Sequence, residues 1–355
     1  MIFKKHGEDG VDTYGIPAIT TTTKGNLIAV YDVRRNSSSD LQGDIDIGMS
    51  RSVDGGQTWE PMKIIMDMDK WGGLPEDQNG VGDPSILVDN ETGDIWVAAL
   101  WAHGKQGKRM WTASGPGMKP EQTGQLMMVY SQDEGKNWSE PVNITPQVKR
   151  AEWFLLLQGP GKGITMHDGT LVFPAQFKDS TQMPFSTILW SKDHGKTWHI
   201  GTGAKPNTTE AQVIELDDGS LMLNMRDNDK GFRSVYITKD LGKTWIKHPT
   251  SRKSLIEPRC NASLIKGDFI IGGIKKSVVF FSNPNSSVAR DSMTIKASLD
   301  DGMTWPQKYW LLIDPGRGRG YSSMTQINEK TIGILYEGSM ADLVFQKVNI
   351  DDIIN

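Results

Sequence analysis

The sequence predicts an all-β fold, a six-bladed β-propeller, from a repeated turn motif, its spacing and the short strands between its copies. The motif is Ser/Thr-x-Asp-x-Gly-x-Thr/Asn-Trp, here called the Asp box, and it occurs five times. The copies are Ser52–Trp59, Ser131–Trp138, Ser191–Trp198, Thr238–Trp245 and Ser298–Trp305. Five matches to an eight-residue pattern indicate a repeat architecture.

The chemistry of the box is that of a tight turn. An aspartate accepts backbone N–H groups within a turn, and glycine adopts a positive φ without strain. The hydroxyl side chains are expected to bond across the loop, and the tryptophan is expected to pack under the blade. We therefore predict that the box aspartates are structural and are poor candidates for catalysis.

The spacing of the boxes sets the number of blades. The box aspartates are Asp54, Asp133, Asp193, Asp240 and Asp300, which are separated by 79, 60, 47 and 60 residues. Each interval suits one four-stranded blade. At roughly 60 residues per blade the chain provides about six blades, the last closed by the two chain ends. We predict a single domain over residues 1–355.

Short apolar segments after turn residues predict the strands. They cover residues 26–31, 94–99, 169–174 and 219–224. The long first interval contains an insertion from His103 to Gln125, rich in Gly, Lys and Pro and carrying Trp111. We predict a long loop there, which is either a solvated excursion or a rim around a substrate pocket.

Composition argues against several classes of protein. The net charge of −4 disfavours a partner such as nucleic acid or a membrane surface. No stretch approaches the roughly 18–20 apolar residues of a membrane helix. Because Met1–His6 has no apolar signal core, we expect either a secreted or periplasmic protein whose signal lies outside this sequence, or a cytoplasmic one.

The reactive side chains give few signals by themselves. Cys260 is the one cysteine, so no internal disulfide can form, and we expect a buried, inert thiol. The six histidines have no pair at metal-ligand spacing. We therefore predict no metal site and no cofactor.

The boxes, the Tyr14–Pro17 segment and several later segments resemble the bacterial sialidases, the exo-α-neuraminidases of glycoside hydrolase family 33. The resemblance covers nearly the whole chain. It implies an exo-α-sialidase that hydrolyses terminal α-linked sialic acids from glycoconjugates with retention. Its partners would be sialylated glycans or free sialic acid.

The resemblance implies a tyrosine nucleophile. The substrate carries a carboxylate on its anomeric carbon, so a carboxylate nucleophile would meet a like charge, and the family uses tyrosine instead. Gly318–Ser323 resembles the nucleophile segment and makes Tyr321 the candidate. Thr208–Gln212 resembles the base segment and makes Glu210 its partner. Glu215 is the alternative base, although its strand-like setting favours a structural role.

The acid/base residue is implied by a polar segment after a predicted strand. Arg34–Leu41 resembles the acid/base loop of the family, which makes Asp40 the acid/base and puts Arg34 near O4 of the sugar. Asp44 and Asp46 lie in the next strand-like segment and are expected to be structural. Asp83 resembles the acidic neighbour of this arginine, although an Asp-Pro pair is also a common turn element.

Recognition of the substrate carboxylate is implied by arginines. The family binds it with three guanidinium groups, whose planar geometry lysine cannot reproduce. Arg226 matches the second arginine and Arg290 the third. Glu337 matches the acid that normally holds the first.

The first arginine is absent, because Gly15 stands in Tyr14–Pro17 where the family has arginine. Losing a charge-assisted bidentate partner costs about 2–5 kcal/mol, and Glu337 loses its cation. Three explanations are open: an introduced substitution that traps ligand, a natural variant with weak activity or another substrate, or replacement by Arg35 or by the Arg317/Arg319 pair. The alternative functions are a non-catalytic sialic-acid-binding propeller and a glycosidase for a different acidic sugar.

Overall fold

A computed structural model of the chain describes residues 1–73, 75–101, 108–229 and 231–354. Within these ranges the backbone forms six principal β-sheets, each built mainly from four antiparallel strands. Neighbouring sheets contact one another in chain order, and the sixth contacts the first. The prediction of an all-β, six-bladed propeller is confirmed.

Blades 1 to 3 come from the first part of the chain. Blade 1 consists of Thr13–Thr21, Leu27–Arg34, Ile45–Ser52 and Lys63–Met66. Blade 2 consists of Val81–Val88, Ile95–Trp101, Gln125–Ser131 and Val142–Asn143, with Gly161–Lys162 parallel to its first strand. Blade 3 consists of Leu155–Gln158, Leu171–Lys178, Pro184–Ser191 and His199–Ile200, with Ile164–Thr165 beside its second strand.

Blades 4 to 6 complete the ring. Blade 4 consists of Thr208–Glu215, Leu221–Asp227, Ser234–Thr238 and Ile246–Lys247. Blade 5 consists of Ser263–Ile271, Ile274–Pro284, Asp291–Ser298 and Trp310–Arg317. Blade 6 consists of Ser322–Asn328, Thr331–Tyr336, Leu343–Asn349 and Ile2–Lys4. The N-terminal strand pairs with the last strand of the chain, so the two chain ends close blade 6 as predicted.

The remaining elements are short. The strands Gly231–Phe232 and Ile256–Glu257 pair with each other beside blade 4. The α-helical turns are Met110–Ala113 and Thr145–Val148. The 3-10 turns are Glu8–Gly10, Trp71–Gly73, Glu76–Gln78, Gln307–Tyr309 and Ile350–Asp352. Among the described residues, no helix has the length and apolar character needed to cross a membrane.

The Asp boxes form the turns between the third and fourth strands of blades 1 to 5. In blade 4, Asp240 accepts the backbone N–H of Thr244 at 2.9 Å and its hydroxyl at 2.7 Å. The Thr238 hydroxyl donates to Asp240 at 2.8 Å. Leu241 and Gly242 take consecutive positive φ angles of 54° and 78°. These hydrogen bonds hold the pKa of Asp240 at about 2, because they stabilise the charged carboxylate.

In three of the five boxes, the fourth residue links its blade to the preceding blade by a hydrogen bond. Glu134 of blade 2 accepts a hydrogen bond from Asn26 of blade 1 at 2.8 Å. His194 of blade 3 bonds Asp89 of blade 2 at 2.8 Å. Asp301 of blade 5 accepts a backbone N–H from blade 4 at 2.8 Å. The boxes therefore stabilise the ring between blades as well as the turn within each blade.

The hydrophobic core lies in the gaps between neighbouring blades. Among the described residues, six clusters of buried apolar side chains each draw members from two adjacent blades, and together they go round the whole ring. The box tryptophans pack into these gaps, as Trp198 does between blades 2 and 3. A further cluster, which includes Leu155 and Leu157, lines a cavity at one end of the ring.

Candidate active site

One end of the ring contains a cavity of about 700 Å³. It is lined by all eight side chains to which the sequence assigned site roles, namely Arg34, Asp40, Asp83, Glu210, Arg226, Arg290, Tyr321 and Glu337. They lie near the starts of first strands, near the ends of second strands, or in the loops that join second to third strands. Because paired strands are antiparallel, these positions share one end of each sheet. The topology therefore gathers residues that are up to about three hundred positions apart.

The centre of the cavity is a contact between a phenol and a carboxylate. Tyr321 Oη donates to Glu210 Oε1 at 2.5 Å. Arg226 Nη1 donates to Glu210 Oε2 at 2.7 Å and to Tyr321 Oη at 3.2 Å. Tyr321 precedes the first strand of blade 6, whereas both partners lie on blade 4. A nucleophile and a base therefore sit in direct contact beside a fixed cation.

The phenol of Tyr321 is neutral in this setting. Burial holds the pKa of Tyr321 well above its usual value, and the charge of Glu210 raises it further, while Arg226 opposes both. A neutral phenol is a weak nucleophile, so it has to lose its proton as it attacks. Glu210 Oε1 is already positioned to receive that proton.

Two further arginines line the cavity, and one of them lies beside the tyrosine. The guanidinium carbon of Arg290 lies 5.6 Å from the ring centroid of Tyr321. Arg290 Nη1 donates to the backbone carbonyl of Arg319 at 2.8 Å, and Nη2 donates to that of Arg259 at 3.2 Å. The side chain of Arg319 also lines the cavity. Together with Arg226 they make this side of the cavity suitable for binding an anion.

Blades 1 and 2 contribute a cluster of carboxylates to the cavity. Arg34 donates from Nε and Nη2 to Asp32 Oδ2 at 3.2 and 2.9 Å. Arg34 Nη1 lies 2.8 Å from Asp40 Oδ1, and Asp32 is buried whereas 68% of the Asp40 side chain is exposed. Asp40 is therefore an accessible carboxyl group held at the cavity mouth by an arginine that is itself anchored.

Asp83 lies in a strand of blade 2, at an irregularity in its pairing, and does not form an isolated turn. Its φ is 60° and its backbone N–H donates to Asp32 Oδ1 at 2.9 Å. Burial raises the pKa of Asp83 well above its usual value, and the nearby charges of Asp32, Asp40 and Glu210 add to this. Asp83 is therefore protonated at a higher pH than an ordinary carboxyl group and can donate a hydrogen bond.

Glu337 is buried below the tyrosine and beside Gly15. Its Oε1 accepts the backbone N–H of Ile16 and its Oε2 accepts that of Tyr321, both at 3.0 Å. Burial raises the pKa of Glu337, while these two N–H donors and then Arg34 and Arg319 lower it. Glu337 therefore ties the backbone before blade 6 to blade 1, which positions Tyr321.

The sequence did not single out Asp32, which anchors Arg34. The usable signal was spacing, because residues two apart in a strand point to the same face, and Asp32 is two positions before Arg34. The apolar wall of the cavity, which includes Leu155 and Leu157, was also missed. Its residues carry no mark in the sequence that distinguishes them from ordinary core.

The insertion after blade 2's second strand contributes to the site. Arg109, Met110, Trp111 and Thr112 line the cavity, and Trp111 is exposed at its edge. This observation favours the rim over the solvated excursion. The start of the insertion, from His103 to Gly107, lies outside the described residues.

Other reactive groups do not add chemistry to the cavity. Cys260 is buried, and burial raises the pKa of its thiol to about 12, so the thiol is un-ionised. Within the described ranges no group of three or more His, Cys, Asp or Glu side chains is arranged to hold a metal ion.

Comparison with known proteins adds the family. The family model of the BNR repeat-like domain matches residues 16–305, so the fold and the boxes define a BNR-repeat propeller. The chain is 54% identical over 348 residues to a sialidase of Bacteroides fragilis, covering 98% of this chain and 64% of that protein. It is 33% identical over 344 residues to a sialidase of Micromonospora viridifaciens, covering 94% of this chain and 51% of that protein.

A solved structure agrees with these relatives. The chain superimposes on a Hadza microbial sialidase with a TM-score of 0.96 and 54% sequence identity, covering all of this chain and 69% of that one. The chain belongs to the sialidase family. It spans only 64% and 51% of the length of the Bacteroides and Micromonospora relatives.

Proposed function

We propose that the chain is an exo-α-sialidase that hydrolyses terminal α-linked sialic acids from glycoconjugates with retention. The observation that carries this proposal is the 2.5 Å hydrogen bond from Tyr321 Oη to Glu210 Oε1 in a cavity lined with arginines. A paired phenol and carboxylate suit attack on an anomeric carbon that bears its own negative charge. The names of the relatives support the same activity.

In the first step, Glu210 takes the proton of Tyr321 as Tyr321 Oη bonds to the anomeric carbon. The bond from that carbon to the aglycone oxygen breaks, and Asp40 gives its proton to the leaving oxygen. In the second step, Asp40 takes a proton from water as the water oxygen bonds to the anomeric carbon. The tyrosyl oxygen leaves and recovers a proton from Glu210. Two displacements at one carbon give net retention.

Arg226 and Arg290 would bind the substrate carboxylate in both steps. Their guanidinium groups lie on the same side of the cavity as Tyr321, with Arg226 Nη1 at 3.2 Å from the phenol oxygen. The anomeric carbon carries the carboxylate, so binding this group beside Tyr321 also brings the carbon close to the nucleophile. Arg34 and Asp83, from blades 1 and 2, are available to hydroxyl groups of the sugar.

One observation favours a second candidate, a sialic-acid-binding propeller without turnover. Gly15 has no side chain at the position where the family resemblance implies the first arginine. Loss of that group weakens transition-state binding, whereas Arg226 and Arg290 can still hold an anionic sugar. The two candidates therefore differ in turnover and share ligand binding.

A fluorogenic α-sialoside distinguishes these candidates. We expect release of the fluorophore by the unchanged chain, and no covalent labelling of Tyr321→Phe by a fluorinated sialoside that labels the unchanged chain. No release at high protein concentration, with retained binding of an unsaturated sialic-acid analogue, supports the binder. If the unchanged chain shows neither release nor binding, both candidates are wrong. A panel of other fluorogenic acidic glycosides then tests the remaining alternative, a glycosidase for a different acidic sugar.

A further inference from the structure

Three charged groups surround the position at which a side chain of residue 15 would begin. A Cβ atom at position 15 would lie 3.2 Å from Glu337 Oε1, 3.8 Å from Arg319 Nη1 and 3.9 Å from Arg34 Cζ. The φ of Gly15 is not positive, so the backbone does not require glycine. A side chain at position 15 would therefore begin in close contact with a buried carboxylate, which would have to shift slightly, and beside two guanidinium groups.

Arg34 is not available to replace the missing side chain. Its Nε and Nη2 are engaged by Asp32, and its Nη1 lies 2.8 Å from Asp40 and donates to the Ser38 carbonyl at 2.9 Å. Turning Arg34 inward would break an ion pair with the buried Asp32, which is costly.

Two other candidate arginines lie elsewhere. Arg35 is bonded to Asp46 through Nε and Nη2 at 2.9 and 2.6 Å, and it does not line the cavity. Arg317 is exposed at the end of a blade 5 strand and does not line the cavity either.

In contrast to these three arginines, Arg319 is available to a ligand in the cavity. Its side chain lines the cavity, and its Nη1 is shielded from water with no hydrogen-bond partner among the described residues. Its Nη2 makes one long hydrogen bond, 3.4 Å to Thr13 Oγ1. A buried N–H donor without a partner is unfavourable, so an acceptor that reaches this guanidinium is bound without displacing a strong competitor. The loosely held group can also turn toward the cavity without breaking an ion pair.

The backbone of Arg319 is also hydrogen-bonded to another arginine of the site. Its carbonyl accepts Arg290 Nη1 at 2.8 Å, and the chain continues through Gly320 to Tyr321. Arg319 is close enough to Glu337 for its charge to lower the pKa of that carboxyl group. The guanidinium groups of Arg34 and Arg319 thus partly offset the charge of Glu337 where residue 15 cannot.

We propose that Arg319 supplies the third guanidinium for the carboxylate of the ligand, in place of the side chain that Gly15 lacks. This inference rests on the proposed function, because it names a residue that binds the anionic group of the same ligand. It makes Arg319 a specificity residue for an acidic sugar and explains how a propeller with glycine at this position retains three cations around one carboxylate.

The test compares Arg319→Met with Arg317→Met in the full chain. Methionine keeps much of the length of the side chain and removes the charge, and Arg317 is the exposed neighbour that does not line the cavity. The readouts are the dissociation constant of an unsaturated sialic-acid analogue by calorimetry, and KM and kcat on a fluorogenic α-sialoside. We expect Arg319→Met to weaken binding and raise KM by roughly tenfold or more, and Arg317→Met to change neither.

A rescue experiment separates ligand binding from a structural role. Gly15→Arg in the Arg319→Met background should recover most of the lost affinity, because the new guanidinium enters the same space. A merely structural defect would persist in the double variant. Arg319→Lys keeps the positive charge but lacks the planar guanidinium group, so it should bind the analogue with intermediate affinity. This variant replaces Arg319→Met in the test if Arg319→Met does not fold.

The outcomes distinguish this inference from the proposed function. If the unchanged chain binds the analogue and Arg319→Met binds it equally well, the role of Arg319 is wrong and the proposed function stands. If binding is lost and Gly15→Arg does not restore it, the role of Arg319 is again wrong. If the unchanged chain neither binds nor cleaves sialosides, both proposals fall.

Discussion

Tyr321 Oη and Glu210 Oε1 are joined by a 2.5 Å hydrogen bond, and Arg226 Nη1 donates to both residues. This relationship links the first strand of blade 4 to the segment before blade 6 at the centre of the ring. The proton that a phenol has to lose therefore already lies between donor and acceptor. Arg226 stabilises the carboxylate and, during attack, the developing phenolate.

The first prediction concerns this pair. Glu210→Gln keeps the shape of the side chain but cannot accept the proton, so we expect kcat on an α-sialoside to fall by roughly 10²–10⁴-fold. The matched control is Glu215→Gln, because Glu215 lies in the same strand but bonds His167 outside the cavity. Equal losses in the two variants would contradict the assignment of Glu210 as the base. Steady-state rates over a range of pH provide the measurement.

The fold was predictable because its signal is local. Each Asp box carries its own turn chemistry within eight residues, as Asp240 and Thr244 illustrate, so the repeat is visible without any tertiary information. The links between blades were not predictable. Glu134 and His194 occupy the variable fourth position of the box, and their partners lie in turns of another blade.

The site residues likewise divide into those that the sequence could predict and those that it could not. Residues within a family motif, such as Tyr321, could be named from the sequence. Asp32 had only its spacing from Arg34 as a signal and the apolar wall had none, because their roles depend on which strands face the cavity. The sequence alone also could not show that Arg319 is available to bind a ligand, because Arg319 and Arg35 were equally plausible replacements for the missing arginine. What separates the two is that Arg35 is paired with Asp46, whereas Arg319 Nη1 is unpaired among the described residues.

The second prediction concerns protonation of the leaving group. Asp40 is the accessible carboxyl group at the cavity mouth, held by Arg34 at 2.8 Å. If it gives its proton to the aglycone oxygen, Asp40→Asn should slow cleavage of a sialyl sugar far more than that of an aryl sialoside. An aryl leaving group departs as a stable phenolate and needs little help.

The control for this variant is Asp44→Asn. Asp44 is close in the chain but does not line the cavity, so its replacement should affect both substrates equally and slightly. A uniform loss on both substrates in Asp40→Asn would assign Asp40 to binding and contradict its role as the acid. The measurement is kcat/KM for each variant on the two substrates.

The third prediction concerns acid stability. Hydrogen bonds hold the pKa of Asp133 and Asp240 at about 2, against an ordinary value of 3.8. A lowered pKa in the folded state contributes stability above the ordinary value, and this stability is lost as pH falls toward the folded value. We therefore expect the melting temperature to fall between about pH 4 and pH 2.

Asp240→Asn tests the source of this acid sensitivity. We expect a lower melting temperature at neutral pH, a shallower decline in acid and unchanged kcat, because the boxes lie away from the cavity. Asp352→Asn, at an exposed position near the chain end, is the control and should melt like the unchanged chain. An Asp240→Asn protein with normal stability and reduced kcat would contradict the structural role of the box.

The last prediction uses the link between blades 2 and 3. His194 bonds the buried Asp89 at 2.8 Å, and this hydrogen bond together with the charge of Asp89 raises the pKa of His194 above its ordinary value of 6.5. A raised pKa in the folded state contributes stability that is complete below the ordinary value and is lost as pH rises through the folded value. Loss of the link should therefore matter more in mild acid than in base.

His194→Asn is the variant of choice, because the φ of His194 is 58° and asparagine tolerates that conformation better than alanine. We expect the melting temperature of this variant to lie furthest below that of the unchanged chain near pH 5.5, and the gap to narrow toward about pH 9. His6→Asn, at an exposed position outside the blades, should show no such trend. A gap that stays constant with pH would mean that His194 acts by packing, and that its charge does not hold the two blades together.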